Sequence, residues 1–171
     1  MLSFLSDENL AIHKEHLRTK KLQYSILEKS IEGIKNKNIE EIIRQKLKKR
    51  DREDVLRLLS DITLHELFFA SFAENTHASS DAVRLSYGSE ASFLNALFLE
   101  CLNLSHGFVC VYYSSGRVSM RGGFDGLSLC LPAPPTLAID VSEHAYFLDY
   151  GFDKERYIMA ALPFLDLSKL S

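Results

Sequence analysis

The sequence predicts an α+β chain, with a helical N-terminal half followed by a half that mixes strands and helices. Three observations predict it. Before residue 73, apolar residues recur at helical spacing over two long stretches. The run Glu74-Asn75-Thr76-His77-Ala78-Ser79-Ser80-Asp81 is polar and without period, so 74–83 reads as a linker, and His77 falls there by chance. Beyond it, strand-forming runs broken by Ser-Gly and Pro turn signals accompany one more helical stripe. The expected units are a helical domain over 1–73 and an α/β domain over 84–171.

Composition narrows the function classes. The chain has 171 residues, 46% of them apolar, which is enough for a real core in one domain or two small packed ones. A net charge of −3 gives no reason to expect a nucleic-acid partner. No apolar run approaches a membrane span, and the start Met1-Leu2-Ser3-Phe4-Leu5 has neither the basic region nor the long apolar core of a secretory signal. Cys101, Cys110 and Cys130 lack metal-type spacing, and an odd count in an apolar half reads as buried reduced thiols in a cytoplasmic protein.

Residues 6–35 are expected to form the first helix, capped by Ser6 with Glu8 and Glu15 early and lysines later. Leu10, His13, Leu17, Tyr24, Leu27, Ile31 and Ile34 share one stripe, which places His13 on the buried face. After Gly33, the break Asn36-Lys37-Asn38 lets Asn38 cap a second helix over 39–47. The run 46–54 carries both charge signs and no aromatics, the pattern of a solvated surface. Residues 52–72 repeat Val55, Leu58, Leu59, Ile62, His65, Phe69 and Phe72 at helical intervals, with His65 at mid-face. One buried histidine is usually a core residue with a backbone or water partner. Two on facing helices of an antiparallel hairpin can meet.

In the second half, Ser89 can cap a helix reaching about Asn103, with Phe93, Leu94, Leu97, Phe98, Cys101 and Leu104 on its apolar face. A strand over 107–113, a turn at Ser114-Ser115-Gly116 and a strand over 117–120 follow. Residues 136–140 form a short strand and 142–150 start a helix, while short helices over 152–170 close the chain. Asp140 then stands where strand becomes helix, with His144 one turn on and facing the same way. Two readings are open: an Asp N-cap followed by a core His, or a carboxylate and an imidazole converging on one cation.

The wording of this corner bears on that choice. Asp140-Val141-Ser142-Glu143-His144-Ala145-Tyr146-Phe147-Leu148-Asp149-Tyr150 resembles the C-terminal signature of the iron- or manganese-dependent superoxide dismutases, Asp-Val-Trp-Glu-His-Ala-Tyr-Tyr followed by Leu-Asp-Tyr. Ser142 replaces the Trp and Phe147 the second Tyr. The stretch from Leu5 to His13 resembles the family's first helix, where a Ser-x-Glu-x-apolar-x-x-His run carries a ligand. Thr63-Leu64-His65-Glu66-Leu67-Phe68-Phe69 resembles its Asn-His-x-x-Phe-Trp segment. Tyr87-Gly88-Ser89-Glu90-Ala91-Ser92-Phe93 resembles its Phe-Gly-Ser helix start. The resemblance implies four ligands, His13, His65, Asp140 and His144, to one iron or manganese ion per chain. It implies a helical hairpin ahead of a small three-stranded antiparallel sheet flanked by helices, and a homodimer with Glu143 at the interface. It also implies a metal that cycles between two oxidation states and converts superoxide to dioxygen and hydrogen peroxide.

The same register shows departures. The family's second histidine, four residues after the first ligand, is Leu17, and its gateway tyrosine, eight residues after, is Lys21. If the register slips by one turn, His16 is the ligand and Tyr24 the gateway. In the family, that second histidine bonds the Tyr that is Phe147 here. The two partners are apolar together, and a buried one left alone would cost about 1–3 kcal/mol. The chain has no Trp, and Phe108 and Cys110 replace two. The family's glutamine at the metal-bound solvent comes from the position of Asp61 or from the sheet near 120–126, where Gly122-Gly123-Phe124-Asp125 has none. Asp61 and Asp125 are candidates to replace it, although an ionised carboxylate cannot donate. Lys21, Tyr24 and Asp61 are thus the candidate groups around the metal. Two further readings stay open: a divergent metal-binding member with little or no dismutase activity, and a metal-free α/β protein.

Overall fold

The computed structural model describes residues 2–74 and 80–171. Helix α1 spans Asp7–Ser30, and its first turn is closed by the Ser6 hydroxyl, which accepts from the Asn9 amide. It ends earlier than the apolar stripe predicts. Ile31 is already extended and Gly33 (φ 85°) is left-handed, so the chain leaves the helix before Ile34 can join it. Helix α2, Ile39–Arg44, opens on a capping box in which Asn38 and Glu41 bond each other's backbone amides. Its expected last turn is absent because Gln45 is already extended. Helix α3 spans Lys49–Ala70. His13 packs on Phe69 and Lys20 pairs with Asp61, so α1 and α3 run antiparallel.

Residues 75–79, where His77 and most of the expected linker lie, fall outside the described residues. Asp81–Tyr87 form helix α4, which replaces the irregular structure expected up to Val83. The reason is local: the Ser80 side chain accepts from the Val83 amide and caps the first turn. Helix α5, Glu90–Asn103, is capped by Ser89. Strands β1 (Phe108–Ser114) and β2 (Arg117–Gly123) form a hairpin around Ser115 and Gly116, both at positive φ. Asp125 caps a short helix α6, Gly126–Cys130, by accepting from the Leu127 and Ser128 amides. Strand β3, Leu137–Asp140, pairs with the other edge of β1, giving an antiparallel sheet of order β2-β1-β3.

After β3 the chain does not enter an α-helix at once. A 3-10 turn covers Glu143–Ala145, and helix α7 begins only at Phe147 and ends at Tyr150. The Asp140 carboxylate accepts from the Ser142 amide and holds Ser142 extended, which delays the helix. Helix α8, Lys154–Ala161, and two 3-10 turns complete the fold.

The main core lies on both faces of the sheet. Val109, Cys110, Val111, Leu137, Ala138 and Ile139 are wholly buried. Helix α3 packs along β3, and α5 covers β1 and contacts α8. The C-terminal segment returns to the end of α3, where the Ala73 amide donates to the Phe164 carbonyl and the Asp166 amide to the Ser71 carbonyl. A second, smaller cluster of Ile34, Ile42, Val55 and Leu56 fills the far end of the helix pair. Cys101, Cys110 and Cys130 are buried and free, and burial pushes each thiol up, that of Cys130 to about 11. Among the described residues, no helix is long and apolar enough to cross a membrane.

Candidate metal centre

His13 and His65 reach the same place because α1 and α3 are antiparallel, and Asp140 and His144 reach it from the corner after β3. The four offer one ligating atom each within 4.8 Å of one another. Asp140 Oδ2 is the hub. It lies 3.0 Å from His144 Nε2, 3.2 Å from His13 Nε2 and 3.6 Å from His65 Nε2. The Nε2 atoms of His65 and His144 are 3.3 Å apart. His13, His65 and Asp140 are buried, and His144 retains 31% exposure, so the approach from solvent is over its ring.

Several contacts make the corner rigid. Asp140 Oδ1 accepts from the Ser142 amide at 2.8 Å, and its carbonyl accepts from the buried Tyr157 hydroxyl at 2.9 Å. The Ala145 carbonyl accepts from Asn9 Nδ2 at 2.5 Å. Asn9 stands one turn before His13, so this bond ties the turn carrying His144 to the helix carrying His13. Asp149 accepts from the Ser6 amide at 2.8 Å, and the Tyr150 hydroxyl donates to the Phe4 carbonyl. Asn9 and Tyr157 were not singled out from the sequence as site residues. An amide four residues ahead of His13 on its buried face was the available signal for Asn9; Tyr157 looked like any apolar contact.

The donor set fits a transition metal. Asp140 Oδ2 and both ring nitrogens of His13 are buried and make no hydrogen bond among the described residues. Buried polar atoms left unpaired cost about 1–3 kcal/mol each, and a cation ligated there would remove that cost for Asp140 Oδ2 and His13 Nε2. Burial alone would push the Asp140 carboxyl up, but the His13 and His144 imidazoles outweigh it and hold the carboxyl far below the usual range. Burial pushes His13 down, against a smaller opposing pull from Asp140, so its ring is neutral and ready to ligate. His65 is moved up: burial opposes this, but Asp61 and Asp140 prevail. Its Nδ1 faces the Asp61 carbonyl at 2.7 Å. A carbonyl only accepts, so the proton sits on Nδ1 and Nε2 is free.

Phe68 and Phe69 stand 4.6 and 5.0 Å from the His13 ring, and Phe108 stands 5.0 Å from that of His65. Aromatic walls therefore surround the set without any Trp.

Residues 75–171 match the C-terminal domain of the iron/manganese superoxide dismutases, more than half of the chain. The chain belongs to the iron/manganese superoxide dismutase family. The helical pair followed by a three-stranded antiparallel sheet with flanking helices is that family's two-domain architecture. A search of curated proteins finds no match.

The other candidates lie in different places. Lys21 is exposed and pairs with Glu66 at 2.6 Å. Tyr24 donates to the Ile34 carbonyl at 3.3 Å and packs on the far cluster, burial moving its hydroxyl up. Asp125 is an exposed helix cap. Asp61 adjoins the site from behind: its Oδ1 lies 3.2 Å from His65 Nδ1 and its Oδ2 2.7 Å from Lys20 Nζ. His16 lies outside the four-residue group, with its ring stacked 4.3 Å over that of His144 and 5.0 Å from that of His65. Burial, then the neighbouring His144 and His65, push His16 down to about 4.

Proposed function

We propose that His13, His65, Asp140 and His144 hold one iron or manganese ion and that the protein is a superoxide dismutase. The observation that carries this reading is the convergence of three Nε2 atoms, 3.0 to 3.6 Å away, on a buried carboxylate oxygen that makes no hydrogen bond. A bound iron or manganese ion supplies the one-electron couple that oxidises superoxide to dioxygen in one half-reaction and reduces it to hydrogen peroxide in the other. The chain's own residues hold the geometry. Asp140 provides the negative charge, His13 and His65 close the buried side, and His144 with the stacked His16 forms the mouth through which a small anion enters. The three buried free thiols accord with a reducing, cytoplasmic setting.

A second reading is a metal-binding member of the same family that turns over superoxide slowly or not at all. It draws support from Asp61, Lys21 and Tyr24. The first is an acceptor aimed at His65, and the other two are engaged with Glu66 and Ile34. None of the three offers a donor over the mouth. Superoxide consumption by iron- and by manganese-loaded protein separates the readings. Rapid turnover with either metal supports the dismutase, and a filled site without turnover supports the second reading.

For assembly we infer a homodimer formed around Glu143. Glu143 is exposed, as are Phe147, Leu148 and Phe152 soon after it in the chain, and the Phe147 and Phe152 rings pack together. Sedimentation of the wild type and Phe152→Lys tests it, with the variant expected to shift to monomer.

A further inference from the structure

Behind His65, on the side away from Asp140, a charged line runs from one helix to the other. Lys20 Nζ lies 2.7 Å from Asp61 Oδ2, and Asp61 Oδ1 lies 3.2 Å from His65 Nδ1. Lys20 is two turns beyond His13 on α1, and Asp61 one turn before His65 on α3, so helix spacing alone aligns them. Lys20 and Asp61 are about three-quarters buried, unlike the neighbouring Lys21–Glu66 pair, which is about half exposed on each side. With the Lys20 ammonium at 2.7 Å, the Asp61 carboxyl is held in its charged form.

The Nδ1–H of His65 already has an acceptor in the Asp61 carbonyl at 2.7 Å, and any residue at position 61 would supply that carbonyl. Ring orientation and tautomer therefore do not need the carboxylate. What the carboxylate adds is charge beside the N–H of a ligand. A negative charge there makes the imidazole a stronger donor through Nε2, and a stronger donor favours the more oxidised ion. Lys20 opposes this by drawing the carboxylate toward itself.

We propose that Lys20 and Asp61 are positioning residues that set the reduction potential of the metal through His65, Asp61 lowering it and Lys20 raising it. This rests on the four-residue metal site proposed above. It gives an acidic side chain at position 61 a role different from direct contact with bound solvent.

The experiment loads full-length protein with iron alone and measures iron content, then the midpoint potential by mediated titration. Four variants are compared: Asp61→Asn, Lys20→Met, the double variant, and Glu66→Gln. Asn keeps the backbone acceptor and the side-chain shape but loses the charge. Asp61→Asn is expected to raise the potential, with about a tenfold change in the ratio of affinities for the two oxidation states, ~59 mV for a one-electron couple. Lys20→Met is expected to lower it, and to do much less in the Asp61→Asn background. Glu66→Gln, next to His65 in sequence but on the exposed pair, is expected to leave it unchanged. The proposal is overturned if Asp61→Asn shifts the potential no more than Glu66→Gln, or if Lys20→Met shifts it equally in both backgrounds. Wild-type protein that takes up no iron would instead overturn the metal site itself, and this inference with it.

Discussion

The two ends of the α1–α3 pair are built from the same two helices and held by opposite physics. At the far end, Tyr24 and Leu27 of α1 and Val55 and Leu56 of α3 close over Ile34 and Ile42. Each buried aliphatic side chain there contributes about 1.5–3 kcal/mol. At the near end the same helices bury His13 and His65 against Asp140, and both ring nitrogens of His13 and Oδ2 of Asp140 find no hydrogen-bond partner among the described residues. Packing alone does not stabilise such an arrangement. The near end thus has the charge and the donor atoms that suit a cation, as the proposed metal site requires.

Breaking each end should therefore have different consequences. The largest effect is expected from Asp140→Ala, which removes the hub: iron and manganese content should fall to background by elemental analysis. Retention of metal would mean that the ligand set is misassigned. Next comes the far end. Ile42→Ala should cost about 2–5 kcal/mol in denaturant unfolding, while the folded fraction keeps its metal content. Metal loading should stabilise the wild type by ~4 kcal/mol at free metal about a thousandfold above Kd, and Asp140→Ala not at all.

A smaller effect sharpens the boundary between the two ends. Asp61 is held at about 2 in the folded state, against 3.8 unperturbed. A depressed carboxyl contributes stability that is fully present above its unfolded value and is lost as pH falls through the folded one. The metal-free wild type should thus exceed Asp61→Asn by on the order of 2 kcal/mol at pH 5, and the gap should close between pH 4 and 2. Unfolding curves of both proteins at several pH values check this. A gap that stays constant would show that Asp61 contributes no charge-dependent stability.

The four converging residues were legible because each sat in a strong local pattern. His13 and His65 interrupt the apolar stripes of their helices, and Asp140 and His144 stand in a signature of nine matching residues out of eleven. The sheet was legible from strand runs and turn residues. What was not legible depended on side chains reaching across the fold or overriding local propensity. The 3-10 turn after Asp140 arises because that side chain bonds the Ser142 amide, and periodicity has no term for this. Helices α4 and α6 are too short to show a period, and their caps were read otherwise, Ser80 as part of the linker and Asp125 as a candidate beside the metal. Lys20 looked like any solvent-facing lysine of a basic helix, and its partner lies 41 residues away in sequence.

Titrating metal-free protein with ferrous iron, and separately with manganous ion, while counting bound metal per chain tests the four-residue site directly. Saturation at one ion per chain in the wild type, and none in Asp140→Ala, is the predicted result. Wild-type uptake no greater than that of Asp140→Ala would mean that these four residues do not hold a metal ion.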